Sequence, residues 1–157
     1  MKWKYVFIIF FFPVFLLCSS DQEIVEHGDP LEEAQVLSVT FIESNGSYNF
    51  SVEIQSPDEG CEQYANWWEI VSSDGKLLYR RILGHSHVNE QPFIRSGGPV
   101  ELDPNQKVFI RGHMNNSGYG TKAYTGTVAN GFQAVDLERN FASDLAQQEP
   151  LPGACPF

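Results

Sequence analysis

From Val36 onward the side chains alternate with a period of two. Val36, Ser38, Thr40 and Ile42 lie on one side of the pattern and Leu37, Val39 and Phe41 on the other, a β-branched run of the kind strands favour. Ser44-Asn45-Gly46-Ser47 follows, with Asn-Gly at the centre of a two-residue hairpin turn. Tyr48, Phe50, Val52 and Ile54 then alternate with Asn49, Ser51, Glu53 and Gln55, which predicts the partner strand. Pro57-Asp58-Glu59-Gly60 ends this hairpin. A second is predicted from Tyr64–Val71 and Leu77–Leu83, turning at Ser73-Asp74-Gly75. Further short strands are expected at Phe93-Ile94, Val100–Leu102, Lys107–His113 and Ala123–Val128. Turns separate them at Ser96–Pro99, Asp103–Asn105 and Asn115–Gly120. This pattern predicts an all-β domain, an antiparallel β-sandwich of immunoglobulin-like type. The connections are too short for the crossover helices of a parallel sheet, which excludes an α/β fold. Beyond residue 130 a tail is expected. Ala134–Gln148 reads as one short amphipathic helix with Val135, Phe141 and Leu145 on its apolar side, and Pro150, Pro152 and Pro156 bar regular structure after it.

The first twenty residues follow a different rule. Lys2 and Lys4 precede an unbroken apolar run, Tyr5–Leu17, and the small residues Cys18-Ser19-Ser20 lead into Asp21. The apolar run is short of the ~20 residues that span a bilayer. A basic start, an apolar middle and a small-residue exit are the parts of a secretory signal, so residues 1–20 are read as a signal peptide. Export to the periplasm, the cell surface or the medium follows. Two exits are open: cleavage after Ser20, or lipidation of Cys18 as the first mature residue. Leu16-Leu17-Cys18 resembles a bacterial lipobox, with Leu17 where a small residue normally stands. Residues 21–34 are acidic, contain Gly28-Asp29-Pro30 and show no apolar period, so they read as a tether. A single domain over residues 35–157 is large enough to bury its own core.

The cysteines and charges narrow the partners. With Cys18 set apart, Cys61 and Cys155 remain, and in an oxidising compartment the two can form a disulfide. All twenty acidic residues lie beyond the signal, against eight of the ten basic ones. That balance disfavours nucleic acid, whose phosphates would be repelled, and leaves lipid on Cys18 as the route to a membrane. The charge is segregated. Residues 21–62 hold eleven acids and no Lys or Arg, whereas residues 76–122 hold seven of the bases. Two consequences are open: mutual neutralisation on folding, or a basic patch, with Arg81, Arg95 and Arg111, that receives a ligand.

The sequence offers three chemistries. His85-Ser86-His87 on an extended segment places both imidazoles on one side. With Glu90 and His113 they would make a site for zinc or copper. Trp67 and Trp68 offer aromatic faces for a glycan, although adjacent strand residues point to opposite faces, so one should be core. The carboxylates Glu62, Glu69 and Glu90 contain no pair that the spacing singles out for hydrolysis. There is no dinucleotide fingerprint, phosphate loop or nucleophile elbow.

Two resemblances add to this. The run His85-Ser86-His87-Val88-Asn89-Glu90, with Gly97 beyond, resembles the first motif of the cupins, metal-binding jelly rolls with His-x-His and a following Glu. Tyr79 stands where the cupin glycine would be, and the second cupin motif is not matched around His113. More broadly, Gly60-Cys61, Tyr64-Ala65, Trp68-Glu69, Asp74-Gly75, Arg81, His85-Ser86-His87, Glu90-Gln91-Pro92-Phe93 and Gly118-Tyr119-Gly120 resemble a group of small exported bacterial proteins with no assigned activity. The expectation is therefore an exported, non-catalytic binding or accessory domain for a small-molecule, glycan or protein ligand. Its rival is a metal-dependent enzyme or metal-binding protein built on His85, His87 and His113.

Overall fold

Asn45 and Gly46 shape the first hairpin. The computed structural model describes residues 32–155; the signal segment, Cys18 and the tether up to residue 31 lie outside the described residues. β1 (Gln35–Ser44) and β2 (Ser47–Gln55) pair antiparallel down to Ser44 opposite Ser47. Asn45 and Gly46 both take positive φ, 52° and 81°, as the tight hairpin turn requires. β3 (Ala65–Ser72) and β4 (Leu77–Ile82) form the second expected hairpin.

β5 (Phe93–Val100) differs from expectation. Two short strands with a glycine loop between them are replaced by one continuous strand that carries Gly97 and Gly98 within it. The register on β2 shifts there, one residue of β2, Asn49, opposing two of β5, Gly98 and Pro99, between the pairs Tyr48–Val100 and Phe50–Gly97. The glycines serve a close approach. A Cβ on Gly97 would lie 2.6 Å from the Tyr79 hydroxyl, and the Gly98 amide donates to that hydroxyl at 2.9 Å.

β6 (Val108–Met114), β7 (Gly118–Tyr119), β8 (Lys122–Thr127) and β9 (Gly131–Asp136) complete two antiparallel sheets. One has three strands in the order β1-β2-β5. The other has six: β4-β3-β6-β8-β9, with β7 on the end of β6. They pack as a β-sandwich, as the sequence predicts. Phe50, Val52, Ile54, Trp68, Ile70, Val108 and Ile110 meet between them, all fully buried.

The tail is the larger correction. Residues 134–136 belong to strand β9, paired to β8, and the predicted helix shrinks to a 3-10 turn at Ser143–Gln147. Phe132 explains the strand. Its ring meets Phe41 and Phe50 edge-on at 5.9 and 5.8 Å, which ties β9 to the inter-sheet core. At the other terminus, Glu33 and Ala34, placed in the tether by sequence, are buried. Ala34 packs where a Cβ on Gly112 or Gly120 would collide with it.

Candidate functional site

Antiparallel pairing gives the sandwich two unlike ends. At one end stand the tight turns 45–46 and 73–76 and the connections 101–107 and 128–130. At the other end Ala65 pairs with Met114, Gln35 with Gln55, and Lys122 with Asp136. The long loops 56–64 and 83–92, the turn 115–117 and the entry of the chain at Glu32 therefore all gather there. Loops carried on a rigid frame are where binding residues concentrate.

Asp58 organises this end. Its carboxylate is buried, and Oδ1 accepts from the Ser56 hydroxyl at 2.7 Å and the Ala65 amide at 2.9 Å. Oδ2 accepts from the His87 amide at 2.7 Å. Gln91 joins the same two loops, accepting from the Ser56 amide and donating to the His87 carbonyl. His87 is thereby drawn in to 3% exposure, its ring stacked on Phe93 at 3.9 Å. Both of its ring nitrogens and the Ser86 hydroxyl are buried without a hydrogen-bond partner among the described residues. The His87 Nδ1 lies 3.8 Å from Asp58 Oδ2, beyond hydrogen-bonding reach. Burial, with help from Arg95 and His85, holds the His87 pKa below the ordinary value, so the ring is neutral at pH 7.

His85 stays exposed beside it, ring centroids 4.6 Å apart. Residues 85–90 and Gly60 wall an open pocket of about 510 Å³. Glu90 pairs with Arg95 at 2.6 Å, which lowers its pKa. Arg81 lies apart from that pair, donating to the carbonyls of Ser96 and Ile82.

The other predicted residues are elsewhere. His113 is on β6, its ring stacked on Trp67 at 3.7 Å and its Nδ1 2.8 Å from Asn66 Oδ1. It faces the outer side of the large sheet, beneath the tail, because it pairs directly with Trp67 across β3–β6. The three-imidazole site therefore does not form, and among the described residues no group of three or more His, Cys, Asp or Glu is placed to hold a metal ion. Burial, with Arg80 and Arg111, lowers the His113 pKa to about 3.

Both tryptophans are internal: Trp68 fills the inter-sheet core and Trp67 the layer under the tail. Neither offers a free face to a glycan. Arg111 is fully buried and is not part of any basic patch. It and Arg80 flank Glu69, their direct cross-strand neighbour on β6 and β4. Glu69 Oε1 accepts from Arg111 Nε at 2.9 Å and Oε2 from Arg80 Nε at 2.8 Å. The two guanidiniums also clasp the tail. Arg111 donates to the carbonyls of Phe141 and Ala142, Arg80 to those of Leu145, Gln148 and Pro150. The Cys61–Cys155 disulfide, as expected, closes the same tail onto the 56–64 loop.

Sequence reasoning missed Asp58 and the Glu69–Arg80 pairing. One sign of the latter was legible. Glu69 interrupts the apolar run Trp67-Trp68-Glu69-Ile70-Val71, and a carboxylate in a buried strand needs a cation opposite.

The chain is 35% identical over 132 residues, 80% of its length, to a protein of Halomicrobium mukohataei described as "Putative lipoprotein". The match spans 60% of that relative's own length. The relative belongs to a haloarchaeon, where the sequence resemblance pointed to bacteria. No family model matches the chain, and no solved structure matches it.

Proposed function

We propose that this is an exported, lipid-anchored binding domain whose ligand enters the His85–Glu90 pocket. The observation that carries the reading is His87. A buried imidazole with two unpartnered nitrogens costs free energy, and a ligand group reaching into the pocket would satisfy it. As a neutral ring it offers one donor and one acceptor, and Ser86 adds a hydroxyl that can serve as either. This suits a polar ligand recognised by hydrogen bonds. Anchoring is supported by the description of the haloarchaeal relative, by the disulfide, and by the Cys18 that follows the apolar leader.

The test is nuclear magnetic resonance of the histidine rings during a screen of polar fragments against the folded domain. The expected result is that hits shift the His87 and His85 resonances, leave His113 unmoved, and lose affinity about tenfold or more in His87→Ala, the scale of one buried hydrogen bond. Hits that map only to other surfaces would reject the pocket. Zinc or copper that raises the melting temperature in a His87-dependent way would assign the pocket to a metal ion held by His85 and His87.

A further inference from the structure

The pocket and the N-terminal entry share one end of the sandwich, and three contacts link them. Ser117 Oγ donates to the Glu32 carbonyl at 3.3 Å, and Asn116 Nδ2 donates to Gln63 Oε1 at 2.9 Å. The Gln63 amide donates to the carbonyl of Gly60, which lines the pocket. We infer that, on the lipid-anchored reading above, this loop end is the membrane-facing end, and that its pocket takes a basic segment of a protein resident in the same membrane.

The first half rests on lengths. Thirteen residues lie between Cys18 and Glu32, and whatever their conformation these fourteen steps of chain reach at most about 50 Å. The far end of the domain stands one strand length further out, about 33 Å for the ten residues of β1. A ligand presented on the same bilayer is then met at an effective concentration of order millimolar, an advantage no dissolved ligand shares.

The second half rests on charge. The loops 56–64 and 83–92 carry Asp58, Glu59, Glu62 and Glu90 and contain no Lys or Arg. Arg95, whose charge reaches His87, is engaged by Glu90. Glu59 and Glu62 are exposed on either side of Gly60. Behind this acidic rim the buried, neutral His87 provides a hydrogen-bond acceptor. Anionic headgroups are repelled by such a surface, whereas a lysine or arginine side chain finds carboxylates at the rim and an imidazole lone pair within.

The experiment uses the full lipidated chain on phosphatidylcholine vesicles that contain a headgroup-attached quencher. A fluorophore on Asn89→Cys, at the pocket, should be quenched several-fold more than one on Asn105→Cys, at the opposite end. Equal or reversed quenching overturns the inference and leaves the binding pocket standing. A chain that does not stay on the vesicles overturns the inference and the anchoring together. A lysine-rich peptide attached to the same vesicles by lipid should then half-saturate the pocket, read from the His87 ring, at an amount about tenfold or more below that of the soluble peptide. The triple variant Glu59→Gln, Glu62→Gln, Glu90→Gln should lose that response. Equal potency of the two peptides, or a response without the carboxylates, overturns the proposal. Binding to anionic-lipid vesicles in place of the peptide overturns it in favour of headgroups.

Discussion

His113 shows how far burial alone can move a residue from its sequence-level reading. A histidine ending a predicted strand beside a His-x-His run invites a metal site, yet its ring is sandwiched in the aromatic layer under the tail. Its charged form is disfavoured by loss of water and by Arg80 and Arg111, and the folded pKa is about 3. The unfolded pKa is about 6.5, so as pH falls the unfolded chain takes up the proton first. Stability is therefore complete above about pH 6.5 and declines as pH falls toward 3, by as much as ~4–5 kcal/mol from this one group. His87, lowered in the same direction, adds to the loss in that window. Urea midpoints at pH 7, 5 and 4 should fall steeply for the parent chain and less steeply for His113→Gln. Parallel pH profiles for the two would contradict this account of His113.

At the scale of elements, the outer face of the large sheet is assembled around Glu69. Strands β3, β4 and β6 bring one carboxylate between two guanidiniums, and the remaining N–H groups of those guanidiniums hold the tail by its carbonyls. Arg80 also lies over Trp67 and Arg111 over Tyr119, at 4.3 and 3.4 Å from the ring centroids, so the layer is both charged and aromatic. Removing one member of a buried ion set leaves the others uncompensated, typically at about 3–5 kcal/mol. Glu69→Ala should lose stability on that scale by chemical denaturation. It should also open the segment 138–150 to limited proteolysis before the strands are cut. A tail that stays resistant in Glu69→Ala would show that the carbonyl contacts and the disulfide suffice without the carboxylate.

For the whole molecule, the bridge between Cys61 and Cys155 spans 94 positions and fastens the C-terminal tail to the loop end. A loop of that length gives about 4–5 kcal/mol in the chain-entropy model. The paired substitution Cys61→Ala, Cys155→Ala should lower the denaturation midpoint accordingly, and peptide mapping of the oxidised chain should recover the two cysteine peptides joined. The excess of acidic over basic residues acts on the same scale. The formal net charge is −10, and self-repulsion of that size is relieved by screening. Melting temperature should therefore rise between about 0.05 and 1 M salt, where the screening length falls from well over 10 Å to about 3 Å. A flat response would mean that the carboxylates are already neutralised locally.

The sequence by itself determined what depends on neighbours along the chain. Period-two patterning placed the first hairpin, and the apolar run Tyr64–Val71 closed by Ser73-Asp74-Gly75 placed the second, since both are local properties of the chain. Asn45-Gly46 specified its turn, because both residues tolerate positive φ. Cys61 and Cys155 were legible as a pair once Cys18 was set aside. Tertiary structure decided whatever turns on which strands become neighbours. Gly97 and Gly98, read as a loop, became strand because Tyr79 from the other sheet packs against the bare Gly97 and accepts from the Gly98 amide, while Gly98 leaves room for Asn49 of β2. Residues 134–136, read as helix, became sheet because β8 had a free edge and Phe132 a place in the core. The candidate site divided in the same way. His85, His87 and Glu90 were found together because they are close in sequence. Asp58, which holds His87 in place, comes from a loop 29 positions away and carried no local mark. Which face of a sheet meets solvent is set by what else packs there, and for His113, Trp67 and Arg111 it is a tail that folds back from the far end of the chain.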